Sequence, residues 1–150
     1  MWNRNFVLAL AANFVFWVCF FAHVALYPLY LSGKGFDEGA IGNIIALASV
    51  GALLGRVVSG WAIDRWGAKY FILAGTVITG AVSPLLVLST SGALLGFYRV
   101  LLGFGLGIFT NATLAHITYI TPAANRGRAV SWWGIMNNSA NAIIPPLASV

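Results

Sequence analysis

Five long apolar runs, separated by short polar links, dominate this sequence of 150 residues. They cover approximately residues 6–31, 40–63, 70–88, 93–119 and 129–150. Each run is close to or above the ~20 residues that an α-helix needs to cross a bilayer. Because irregular backbone cannot satisfy its hydrogen bonds in lipid, these runs predict an all-α membrane protein with about five transmembrane helices.

Composition places the chain in the membrane class and excludes several others. Hydrophobic residues make up 60% of the chain and charged residues 7%, whereas soluble domains carry about 25% charged residues. The net charge of +5 does not indicate a nucleic-acid partner, because the bases are scattered between apolar runs rather than clustered on one face. The sequence contains no catalytic triad, metal-ligand spacing or phosphate loop, so we expect neither an enzyme nor a cofactor or metal.

The basic residues are distributed unevenly between the two ends of the apolar runs. One set of ends carries Arg4, Arg65, Lys69, Arg126 and Arg128. The opposite set carries Lys34, which Asp37 and Glu38 offset. By the positive-inside rule, the first set lies in the cytoplasm. The sequence therefore predicts a multi-pass protein of the cytoplasmic (inner) membrane with a cytoplasmic N-terminus.

The most distinctive charged stretch is GWAIDRWGAK, at residues 60–69 between the second and third runs. It is typical of a short charged loop that joins two membrane helices. Gly67 permits a backbone turn with positive φ, which lets the chain reverse within a few residues. Asp64 falls at the end of an apolar helix, where a carboxylate needs a cation or a helix N-terminus beside it.

This stretch resembles the loop signature of the major facilitator superfamily of transporters, which is roughly G-x-x-x-D-R-x-G followed by basic residues. The residues that match it are Gly60, Asp64, Arg65, Gly67 and Lys69. Ala68 departs from the pattern, because the family usually has a base at that position. In the family this loop joins transmembrane helices two and three on the cytoplasmic side, which is where the charge distribution places it here.

A second resemblance lies in the fourth run, where Arg99, Gly103 and Gly107 are similar to the family's R-x-x-x-G-x-x-x-G pattern. Together the resemblances cover essentially the whole chain, as the N-terminal portion of a transporter. They imply two bundles of six helices built from three-helix repeats. Since about five helices are present, we expect residues 1–150 to form an incomplete N-terminal bundle whose C-terminal bundle or partner chain is missing.

The resemblance implies roles for two charged residues. Arg99 would take part in substrate binding or proton coupling, because an intramembrane charge normally faces the bundle interior or a cavity. The alternative is an arginine that snorkels to the outer interface. Asp64 would hold the cytoplasmic side shut, with Arg126 or Arg128 as its partner and with Arg65 and Lys69 in the same gate. The alternative is a solvated acid.

Small and polar residues inside the helices have their own alternatives. Gly103 and Gly107 share a helix face, which favours close helix packing. In the fifth run, Gly134, Asn138, Asn141 and Pro145 form one stripe beside Asn137, and either lining of a wet cavity or hydrogen bonding between helices explains it. His23 is either a proton-carrying residue or a packing residue with a hydrogen bond.

Our leading hypothesis is a permease that moves a small solute across the lipid bilayer by alternating access, as part of a longer chain. Proton coupling is one option that the sequence leaves open. The alternative is a non-transporting, truncated fragment or a membrane assembly subunit, because five helices cannot enclose a path like that of the family. The partners expected are the bilayer, the solute and the missing C-terminal bundle or partner chain.

Overall fold

The computed structural model describes residues 4–148, and every secondary-structure element within that range is a helix. Its α-helices are α1 (Arg4–Gly33), α2 (Glu38–Trp66), α3 (Ala68–Leu88), α4 (Gly92–Tyr119) and α5 (Arg126–Ala148). A short 3-10 helix, Ala123–Asn125, precedes α5. The prediction of an all-α protein is confirmed.

Four of these helices are long and apolar enough to cross a membrane. They are α1, α2, α3 and α4, with 30, 29, 21 and 28 residues, where ~20 residues suffice. Within the described residues α5, with 23 residues, is not among them, because two arginines and three asparagines lower its mean hydropathy. The chain is therefore a multi-pass membrane protein with four clear spans and a fifth helix.

The junction between α2 and α3 is shorter than the sequence predicts. The prediction of a charged loop over residues 60–69 is wrong in its length, because Gly67 alone separates the two helices. Asp64 and Arg65 belong to the last turn of α2, and Lys69 belongs to the first turn of α3. No glycine or proline interrupts residues 61–66, so the helix continues until Gly67, whose φ of 83° ends it.

The other helix ends also extend past the predicted limits. α1 continues to Gly33, and α2 begins at Glu38 because the Asp37 carboxylate accepts a hydrogen bond from the backbone N–H of Ala40 at 2.9 Å. α5 begins at Arg126, so both Arg126 and Arg128 lie in its first turn rather than in a link. The predicted end of the fifth helix at Val150 lies outside the described residues.

The chain divides into two compact units. The first comprises Met1–Tyr30 and Thr113–Val150, and the second comprises Leu31–Ala112. The core of the first unit contains Phe6, Leu10, Ile117 and Ala129, with Trp132, Trp133 and Met136 packed against it. The second unit holds α2, α3 and most of α4, and it combines buried large side chains such as Leu86, Leu95 and Leu102 with close contacts at glycines.

A candidate gate and buried arginine in a glycine-packed bundle

In the second unit, α4 lies directly against the backbone of α2. A Cβ atom built on Gly103 would collide with the carbonyl group of Ala48, and one built on Gly107 would collide with the carbonyl oxygen of Ala52. The two glycines lie four residues apart on one face of α4. Their missing side chains therefore let the two helices meet at backbone distance, as small residues do in membrane proteins.

The contact between α2 and α4 is reciprocal. A Cβ atom on Gly51 would collide with the carbonyl oxygen of Val100, and one on Gly55 would collide with that of Phe104. Our sequence interpretation missed these two glycines, although their four-residue spacing in GALLG is the signal for such a contact. Both helices thus contribute glycines to one continuous seam.

A different face of α4 meets α3. A Cβ atom on Gly75 would lie 2.7 Å from the carbonyl oxygen of Gly105, and one on Gly105 would lie 2.8 Å from Thr79 Oγ1. Real side chains do not approach this closely, so each contact requires glycine. α4 is consequently packed between α2 and α3. Gly103 and Gly107 form its contact with α2, and Gly105 forms its contact with α3.

A polar contact continues the seam between α2 and α4. The Asn111 side-chain nitrogen donates to the carbonyl oxygen of Arg56 at 2.9 Å and to Ser59 Oγ at 3.2 Å. Ser59 is fully buried, so its hydroxyl needs a partner of this kind. Sequence reasoning missed Asn111, which lies four residues after Gly107 and so on the same side of α4.

Arg99 lies seven residues into α4 and belongs to the second unit. Its side chain is 1% exposed, which makes it the largest of the fully buried side chains. Snorkelling to the outer interface therefore does not describe Arg99. A buried guanidinium inside an apolar helix is costly, and proteins retain such groups mainly at functional sites.

The predicted gate residues lie at the helix junction and are exposed. Asp64 and Arg65 lie in the last turn of α2, and Lys69 is in the first turn of α3. Arg126 and Arg128 are also exposed, and they belong to the first unit. The pairing of Asp64 with one of these arginines stays a prediction.

Asp64 is the last member of an exposed stripe that runs along α2, which we call the small-residue stripe. Its members follow one another at steps of three or four residues and so share one side of the helix. They are Gly42, Ala46, Ser49, Leu53, Arg56, Gly60 and Asp64, all exposed. A Cβ atom built on Gly42 or Gly60 would meet nothing within 4 Å. Among the described residues, this side of α2 is therefore exposed and has no close neighbour at Gly42 or Gly60.

In the first unit, the buried amide is not the one that the sequence favoured. Asn13 of α1, fully buried, donates from its side-chain nitrogen to Asn137 Oδ1 of α5 at 2.6 Å. Asn138 is exposed and donates to the carbonyl oxygen of Gly134 in its own helix at 2.8 Å. Asn141 is exposed as well. The side chain of Pro145, the last member of the predicted stripe, lies outside the described residues.

Aromatic residues accompany these polar groups. The ring of His23 stacks on that of Tyr27 with 5.3 Å between centroids, and Tyr27 is buried. Trp133 of α5 donates from Nε1 to Thr113 Oγ1 of α4 at 3.3 Å. The first unit therefore combines aromatic rings with neutral donors and acceptors.

The apolar spans and the glycine seam define this protein as a multi-pass helical membrane protein in which α4 packs at backbone distance against α2 and α3. The family profile of the Major Facilitator Superfamily matches residues 2–150. The chain therefore belongs to this superfamily of transporters.

Individual relatives match the chain over about three fifths of its length. An uncharacterized MFS-type transporter of Mycobacterium tuberculosis is 37% identical over 92 residues, which are 61% of this chain and 16% of that protein. Probable inositol transporter 3 of Arabidopsis thaliana is 27% identical over 93 residues, 62% of this chain and 16% of that protein. The human solute carrier family 2, facilitated glucose transporter member 12, is 32% identical over 88 residues, 59% of this chain and 14% of that protein. The match thus spans a small part of each relative, and no solved structure matches the chain.

Proposed function

We propose that the protein to which this chain belongs is a secondary transporter that moves a small solute by alternating access. Family membership supports transport in general. The observation that carries the more specific proposal is Arg99, which is 1% exposed within an apolar helix. Such a charge is expensive to insert, so a role in binding or coupling explains its presence better than packing does.

The packing of the second unit supports the mechanical part of this proposal. Alternating access requires bundles that move as rigid bodies around a binding site. α4 contacts α2 and α3 through backbone atoms at Gly103, Gly107 and Gly105, and backbone contacts leave no flexible side chains to rearrange. The small-residue stripe of α2 remains exposed and would provide the surface that closes against another helix on the cytoplasmic side.

We also propose that the solute is an uncharged, polyhydroxylated molecule such as inositol or a hexose. Two matching relatives are named for the transport of inositol and of glucose. The first unit contains none of the three acids of the chain, and its cations, Arg4, Arg126 and Arg128, lie at helix ends. That unit instead offers the amides of Asn13 and Asn137 and several aromatic rings. Amides and rings suit hydroxyl groups and the apolar faces of sugar rings.

Uptake by the full-length protein tests this proposal. Reconstituted into liposomes, it should accumulate radiolabelled inositol or glucose at a saturable rate well above that of empty liposomes. Unlabelled neutral polyols should compete, and charged solutes of the same size should not. If charged solutes compete instead, the solute class is wrong but transport stands. If no solute of a broad panel is exchanged, transport itself is contradicted.

Replacement of Asp64 by asparagine tests the gate. Without the carboxylate, the closed cytoplasmic side should be less populated, by up to about fivefold, since exposed ion pairs contribute up to ~1 kcal/mol. In the full-length protein, Cys19 is changed to serine and Gly60, one turn from Asp64 and with open space for a side chain, to cysteine. A maleimide should then label position 60 correspondingly faster.

Asp37→Asn is the matched control for the gate variant. It removes an exposed acid at the other end of α2, and asparagine still caps the helix. Labelling should match that of the parent protein. Equal labelling rates in the Asp64 and Asp37 variants would show that Asp64 is a solvated acid without a gating role.

A further inference from the structure

A group of basic and aromatic side chains surrounds the junction of α2 and α3, and the transport proposal does not use it as a group. We call it the basic–aromatic cluster. It consists of Trp61, Arg65, Trp66, Lys69 and Tyr70. All five residues are exposed, and Tyr70 is 74% exposed. Large aromatic side chains of this kind are normally covered by protein or by the membrane interface.

The Arg65 side chain is held in place by two indole rings. Its guanidinium carbon lies 5.7 Å from the ring centroid of Trp61 and 5.9 Å from that of Trp66. The two indoles are T-shaped to each other at 5.5 Å. Among the described residues, Arg65 makes no further ion pair or hydrogen bond through its side chain. Stacking thus fixes the guanidinium while its N–H groups stay available for an anion.

Exposed apolar residues lead up to the cluster on both helices. On α2, Leu54, Val58 and Trp61 are spaced by four and three residues and lie on the side that ends at Arg65. On α3, Leu73 and Val77 are exposed on the side of Tyr70. Arg65 and Lys69 therefore lie at the ends of two exposed apolar surfaces. In a bilayer, this position corresponds to the depth of the lipid phosphates.

The charge on this side of the junction is positive. Asp64 is next to Arg65 in sequence, but one residue turns the helix by about 100°. Around α2, Asp64 lies about 60° from Trp61 and about 100° from Arg65, and it also belongs to the small-residue stripe. Arg65 and Lys69 together still leave a net positive charge at the junction. Lys69 lies in the first turn of α3, whose N-terminus has no side-chain cap at Gly67, so its backbone N–H groups add to the positive potential.

We propose that the basic–aromatic cluster binds the phosphodiester headgroup of an anionic glycerophospholipid, such as phosphatidylglycerol. The Arg65 guanidinium binds two phosphate oxygens, and Lys69 supplies a second positive charge. The indoles of Trp61 and Trp66 lie at headgroup depth, and the acyl chains cover the exposed apolar sides of α2 and α3. A zwitterionic lipid offers the same phosphate with its charge neutralised, so binding favours lipids with net negative charge.

Native mass spectrometry of the full chain in mild detergent tests this site. The protein is incubated with equimolar phosphatidylglycerol and phosphatidylcholine, and the lipid adducts that survive are counted. Phosphatidylglycerol should be retained about tenfold more than phosphatidylcholine, which is within the ~2 kcal/mol that two membrane-facing cations can contribute. Arg65→Gln should reduce this preference to about twofold. Circular dichroism and size-exclusion chromatography establish that each variant is folded.

Two further variants separate a built site from general attraction. Arg126→Gln removes one exposed cation at the start of α5 that contacts no aromatic ring among residues 4–148. This variant should keep the tenfold preference. Trp66→Leu keeps every charge but removes one stacking ring, and should lower the preference several-fold. Equal retention of the two lipids by the unaltered protein would overturn the proposal. So would equal effects of the Arg65 and Arg126 variants, or an unchanged preference in Trp66→Leu.

Discussion

Replacement of Arg99 by alanine is expected to reduce solute uptake by the full-length protein about tenfold to a hundredfold. The side chain is 1% exposed inside α4, so its guanidinium acts within the protein and not in water. Loss of a charge-assisted hydrogen bond costs about 1.5–3 kcal/mol, and about 1.4 kcal/mol corresponds to a tenfold change. Initial uptake rates, normalised to the amount of inserted protein, measure the effect.

Arg99→Met provides the control that separates chemistry from packing. Methionine is unbranched and fills most of the same space, so the helix should insert and fold as before. Uptake should nevertheless be as low as in the alanine variant. A methionine variant that transports like the parent protein would show that Arg99 only fills space, and the coupling role would then be rejected.

Replacement of Gly103 by alanine is expected to destabilise the second unit strongly. The new methyl group would collide with the Ala48 carbonyl group, and that backbone cannot move without displacing α2. Overpacking of this kind costs about 1–3 kcal/mol or more. The melting temperature in detergent should fall by several degrees, and less folded protein should be recovered from the membrane.

Gly80→Ala is the matched control, because it makes the same chemical change in a neighbouring helix. A Cβ atom on Gly80 would meet nothing within 4 Å. Alanine also favours a helix over glycine by about 1 kcal/mol. The melting temperature of this variant should therefore stay the same or rise. If both alanine variants shifted it in the same direction, the backbone contact between α2 and α4 would not be what stabilises the unit.

The fold class could be predicted from the sequence because hydropathy alone determines it. Runs of about 20 or more apolar residues admit only helices in a bilayer, and four such spans are present. The helix ends were less predictable. Asp64 and Arg65 look like loop residues, yet neither breaks a helix, and α2 continues through them to Trp66. Polar residues indicate where a helix leaves the membrane, whereas residues with special backbone geometry, such as Gly67, determine where the helix ends.

The candidate site was harder to predict. The spacing of residues shows which of them share one side of a helix, but not which other helix packs against that side. The shared side of Gly103 and Gly107 follows from their spacing, but their contact with Ala48 and Ala52 does not. The amides illustrate the same limit. Asn137 and Asn138 are adjacent, and only the packing of α1 against α5 decides that Asn137 meets Asn13.

The one-residue junction at Gly67 limits how the length of this chain can change. Surface loops usually absorb insertions and deletions, but here no loop exists between α2 and α3. An added residue would shift the start of α3, and with it Lys69, relative to Arg65 in the last turn of α2. Length differences among relatives, and reporter tags placed by experimenters, should therefore be tolerated in the links at residues 89–91 and 120–125 and be excluded from position 67.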